Sequence, residues 1–121
     1  MPGNFTSAWD PWDDVTILAP DHALLQEPNP IVEAGLDGWG SSTHGFLANL
    51  PPLAESLVAN ASSGEPVLAE FRLGLGCVVA TEQPLEWGWW HHDARLLENE
   101  VLYRCRPLSR VYLPLVLRDS P

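Results

Sequence analysis

The chain contains no lysine, and no arginine occurs before Arg72. Without clustered cations the N-terminal part is excluded from gripping a nucleic-acid backbone, where basic side chains must replace counterions. An anionic membrane surface is disfavoured for the same reason. No apolar run approaches the ~20 residues of a membrane-spanning helix. The segment Met1–Asp10 has neither a basic n-region nor an apolar h-region, so no signal peptide is expected and the predicted location is cytoplasmic. The cysteines, Cys77 and Cys105, lack any Cys or His partner at metal-motif spacing. In a reducing compartment they read as small buried hydrophobes, although both fall in strand-like runs that a sheet would bring together. A phosphate loop and a dinucleotide fingerprint are missing, and Ser41 and Ser42 do not form a nucleophile elbow. No metal and no cofactor is expected; the rival reading is a metal site at His91 and Asp93, which would share a face on a strand.

What remains is strongly polarised. The 121 residues carry a formal charge of −10. From Met1 to Phe71 stand Asp10, Asp13, Asp14, Asp21, Glu27, Glu33, Asp37, Glu55, Glu65 and Glu70, with no cation among them. From Arg72 onward six arginines balance six acids, so the whole net charge belongs to the N-terminal part. Such a field favours a basic protein partner. The length fits one domain, and 45% hydrophobic residues supply enough apolar material for a core without metals or disulfides.

Residues 1–14, rich in Trp, Asp, Pro and Gly, read as a mobile acidic arm, and residues 15–121 as a single domain. Val15–Ala19 predicts a short strand. Short helices are expected over His22–Glu27 and Ile31–Leu36, each behind a capping residue. Gly38–Thr43 is a loop, followed by a helical turn at His44–Asn49. Leu53, Leu57 and Val58 fall on one face of an expected helix, Leu53–Ala61. Val67, Ala69, Phe71 and Leu73 alternate, as in a strand, and Cys77–Thr81 continues after the Gly74/Gly76 turn. Leu85–Trp90 is expected as a strand or packed loop, Arg95–Arg106 as a strand, and Arg110–Arg118 as the last strand. The predicted fold is α+β: N-terminal helices packed on a C-terminal antiparallel sheet, a two-layer sandwich.

Three groups of residues invite a functional reading. Trp87, Trp89, Trp90 and His91 lie in one aromatic stretch that suits an interface, since Trp is enriched at hot spots. Arg104, Arg106 and Arg110 flank a turn and offer either a clamp for an anion or partners for the acids. His44 precedes Glu55 across Thr43–Ala61. This order, a loop histidine followed by a carboxylate, resembles in part the hot-dog fold of acyl-thioester dehydratases and thioesterases. The separation here is shorter, and Pro51-Pro52 stands where that family has a proline-glycine turn. The resemblance implies an enzyme in which His44 polarises or deprotonates an acyl thioester and Glu55 acts as base or orients water. The favoured reading remains non-enzymatic: an acidic protein-binding module such as an immunity protein or antitoxin, a secretion chaperone or a small subunit of an assembly, with a homodimer as a further possibility.

Overall fold

The computed structural model describes residues 6–91 and 93–105, excluding the side chains of Trp89 and His91. Strands dominate. They are β1 (Thr6–Trp12), β2 (Val15–Ile17), β3 (Thr43–Ala48), β4 (Glu55–Asn60), β5 (Pro66–Leu73) and β6 (Gly76–Thr81). Two short helices follow, α1 (Leu85–His91) and α2 (Arg95–Leu102). Single 3-10 turns occupy Ala23–Leu25 and Glu33–Gly35. Strands β1 and β3 form a two-stranded ribbon, and β2-β4-β5-β6 form a four-stranded sheet; every pairing is antiparallel.

This overturns the expected architecture. Among the described residues the sheets come first and the helices last, with no layer of N-terminal helices on a C-terminal sheet. The segment expected as the clearest helix is strand β4, hydrogen-bonded between β2 and β5. Leu53, assigned to the buried helical face, is 96% exposed. Leu57 and Val58 are both fully buried although they adjoin, because the register with β5 shifts between Ser56 and Val58 and again before Ala59. Leu57–Asn60 is buried at every position, as in an interior strand covered on both faces. Asn60, which begins a glycosylation-like Asn-Ala-Ser, is therefore inaccessible. His44–Asn49, expected as a helical turn, belongs largely to β3. Leu85–Trp90, expected as a strand or packed loop, and most of Arg95–Arg106, expected as a strand, are helical. The strand expected at Arg110–Arg118 lies outside the described residues.

The N-terminal stretch contributes β1, whose residues Thr6 to Trp9 pair with Ala48 to Gly45. Gly45 is required there, because a Cβ on it would sit 1.7 Å from the Ala8 carbonyl oxygen. Gly45→Ala is expected to drive β1 off β3 at a cost of about 1–3 kcal/mol, the usual range for forcing atoms into filled space. Amide hydrogen exchange in β1 should then accelerate while β4 and β5 stay protected. Unchanged protection of β1 would contradict the pairing.

The core gathers Leu24, Leu25, Leu57, Val58, Val67, Leu68 and Leu96, with Leu36, Trp39 and Leu85 around them. Helix α2 enters through Leu96 and Asn99, one turn apart. The Asn99 amide donates to the carbonyls of Leu24 and Asn29 at 2.8 Å each and accepts from the Asn29 backbone N–H at 3.0 Å. Beyond α2, Cys105 is disulfide-bonded to Cys77 at the start of β6. The bond fastens the segment just after α2 to the sheet and differs from the buried thiols expected in a reducing compartment. No helix among the described residues is long and apolar enough to cross a membrane.

Candidate functional site

Gly38-Trp-Gly-Ser-Ser-Thr43 builds one wall of a surface depression. Gly38 and Gly40 have φ of +76° and +83°, a region that side chains rarely adopt, and between them they turn Trp39 inward. The indole N–H of Trp39 donates to the Gly35 carbonyl at 3.2 Å. Ser42 Oγ accepts from the Trp39 backbone N–H and donates to the Asp13 carbonyl at 2.6 Å. The loop is thus held at both ends. The opposite wall is α1, which Pro84 introduces and Leu85 anchors in the core. Between them lies a cavity of about 420 Å³ lined by Trp39, Gly40, Ser41, His44, Pro84, Glu86 and Trp87. The volume falls in the range of small-ligand sites, roughly 300–1,000 Å³.

Aromatic surface surrounds this cavity. Trp9 stacks beside His44, with ring centroids 5.5 Å apart. Trp9 is 76% exposed, Trp12 47%, Trp87 48% and Trp90 74%. Trp87 and Trp90 are three residues apart on α1 and so share a face. Acids crowd the same region. Asp37 accepts from the Val15 backbone N–H at 2.8 Å, yet its carboxyl is held above the usual range. Burial is the main cause, opposed by the Val15 bond and assisted by the charges of Asp14, Glu33 and Asp13. The carboxylates of this segment therefore feel one another, with no described cation between them.

The residues singled out in the sequence are dispersed. His44 lines the cavity, but Glu55 opens β4 and lines a different depression with Leu53, Glu70, Phe71 and Arg72. The structure does not bring them together as a pair. Trp87 and Trp90 present exposed rings, while the side chains of Trp89 and His91 lie outside the described residues. Asp93, between α1 and α2, holds Arg95 in a two-oxygen ion pair, which pulls its carboxyl below the usual range. Arg104 lines a third cavity, with Glu27, Pro28 and Tyr103. Arg106 falls outside the description.

Sequence reasoning missed a buried polar tie. His22 Nδ1 accepts from the Leu24 backbone N–H at 3.1 Å, capping the first 3-10 turn. Its Nε2 therefore carries the proton and donates to Glu70 Oε1 at 3.1 Å. The Tyr103 hydroxyl donates to the other oxygen of Glu70. Glu55 stands 3.7 Å from the same Nε2. One ligand atom from each of His22, Glu55 and Glu70 lies within 4.8 Å of the others, a spacing that suits a metal ion. The donor set does not suit one: Nε2 offers a hydrogen rather than a lone pair, and exchanging tautomers would break the Leu24 cap. With both Glu70 oxygens and both ring nitrogens engaged, the cluster is organised to hold β5, the first 3-10 turn and the end of α2 together. No sequence spacing links positions 22, 70 and 103, so no motif could have signalled it.

Glu100 on α2 is a half-buried acid whose Oε2 lies out of solvent. Burial pushes its carboxyl from 4.5 up to about 7, and Oε2 has no hydrogen-bond partner among the described residues. The folded chain thus keeps a proton that the unfolded chain loses, and stability falls as pH rises between those two values and levels off above them. Glu100→Gln removes the titration and should be about 3 kcal/mol more favourable relative to wild type at pH 8 than at pH 4. Urea unfolding of both proteins at these pH values checks this; parallel profiles would contradict it.

No family model matches this chain, and neither a curated protein nor a solved structure matches it.

Proposed function

We propose that the chain is a non-catalytic, acidic protein-binding module that takes a basic protein partner on the face built from β1, the 38–44 loop and α1. The observation that carries this reading is the exposure of Trp9, Trp12, Trp87 and Trp90 beside a segment with acids and no cations. Exposed tryptophans give large contact areas at low entropic cost, and charge of one sign steers association. Nucleic acid and membranes fit the same face poorly, because both are anionic. Immunity protein or antitoxin, secretion chaperone and assembly subunit are all roles of this kind. The cysteine pair bears on the compartment: a cytoplasmic setting would hold Cys77 and Cys105 as thiols, so their disulfide favours an oxidising one.

Affinity capture from an extract of the source cells tests the proposal, using the intact chain and a Trp9→Ser/Trp90→Ser variant of unchanged fold. Proteins of basic isoelectric point should be retained by the first and lost by the second. Equal retention by both would remove this face from the interaction.

A further inference from the structure

We propose that the cavity between Trp39, His44 and Trp87 receives one arginine side chain of the basic partner, with the guanidinium against the indole surface and forked onto the Glu86 carboxylate. The inference rests on the binding reading above and gives its partner a specific anchor. Of the described lining residues Trp39, Gly40, Ser41, His44, Pro84, Glu86 and Trp87, one is an acid and none is an arginine. Ser41 Oγ spends its hydrogen on the Thr43 carbonyl at 3.1 Å, so towards the cavity it offers only lone pairs. Glu86 and Ser41 thus present only acceptors to the cavity, which suits a group that donates hydrogen bonds and accepts none, the hydrogen-bonding character of guanidinium.

Charge complementarity extends beyond the lining. Asp13 is bonded through its carbonyl to Gly38 N–H and Ser42 Oγ, and Glu82 through its carbonyl to His44 N–H, so both acids adjoin the walls. Among the described cations, Arg95 is paired with Asp93, while Arg72 and Arg104 line other depressions. Arginine is preferred over lysine because a planar, weakly hydrated cation stacks on indole and meets a carboxylate at two points, whereas an ammonium does neither.

Hexa-arginine, hexalysine and hexacitrulline peptides are the probes, titrated at low salt against the intact chain by calorimetry. Hexa-arginine should bind at least about threefold more tightly than hexalysine, and hexacitrulline, the uncharged isostere, should not bind. Trp87→Ala and Glu86→Gln should each weaken hexa-arginine by about fivefold or more, the size of one cation–π or charge-assisted contact. Glu86 is exposed, so its variant tests the site without risk to folding. Glu65→Gln, in the β4–β5 turn, should change affinity less than about twofold. Binding unaffected by Trp87→Ala and Glu86→Gln would overturn the arginine pocket and leave the acidic face standing. Equal affinity for arginine and lysine peptides would overturn the guanidinium assignment. Absence of binding by any cationic peptide would overturn both this inference and the binding reading. Self-association that saturates the cavity, detected by sedimentation, would replace the partner with a second copy and overturn it equally.

Discussion

Asn99→Ala is expected to lower the unfolding free energy by about 3–5 kcal/mol, since it removes every side-chain hydrogen bond of Asn99 at about 1–3 kcal/mol for each buried group left unpaired. Asn99 is fully buried and uses all its hydrogen-bonding capacity. Two amide hydrogens reach the carbonyls of Leu24 and Asn29, and its oxygen accepts from the backbone and side-chain N–H groups of Asn29 at 3.0 and 3.1 Å. Alanine supplies none of these, and the orphaned carbonyls sit where α2 meets the first 3-10 turn. Asn99→Asp keeps the acceptors but loses both donors and buries a charge, so it should be no better. Urea denaturation measures both. A loss below ~1 kcal/mol for the alanine variant would mean that α2 is not docked through this residue.

Replacing Cys77 and Cys105 by serine should cost nearly as much. The bond spans a sequence separation of 28. Closing a loop of that size in the unfolded chain corresponds to about 3.5 kcal/mol on the chain-entropy model. A second effect adds to it. Without the link, Tyr103 is free to leave Glu70, and a carboxylate only 8% exposed then loses a donor. Thermal unfolding of the wild-type chain should shift downward on adding a thiol reductant, and the double serine variant should be insensitive to it. A wild-type transition indifferent to reductant would show that the bond carries no stability.

The parts legible in the sequence were those with one clean period. Strand β5 showed itself because Val67, Ala69, Phe71 and Leu73 alternate, and Gly74 and Gly76 mark the turn into β6. Strand β4 hid because it is interior and bulged: a strand covered on both faces has no alternation, and Leu53, Leu57 and Val58 happened to imitate a helical stripe. Helix α2 hid because the most buried position of its inner face is Asn99, a polar residue whose partners lie some seventy residues away. Helix α1 hid behind Pro84, which follows the end of β6 and stands just ahead of Leu85, where a proline's missing N–H costs nothing. Of the candidate site, the segregated acids and the clustered tryptophans were visible as composition. Their convergence with Trp39 and His44 was not, because it depends on Gly45 letting β1 cross β3 and on two glycines with positive φ turning the 38–43 loop.

Salt dependence tests the acidic face most directly. The measurement is the affinity of the purified chain for its captured partner, from low to high ionic strength. Screening shortens the reach of surface charge from about 10 Å at 0.1 M to about 3 Å at 1 M. If the cation-free acidic segment steers and holds a basic partner, affinity should fall by about tenfold or more between ~0.05 and ~0.5 M salt, chiefly through a slower association rate. An affinity and association rate that stay flat over this range would contradict an electrostatic role for the N-terminal part of the chain.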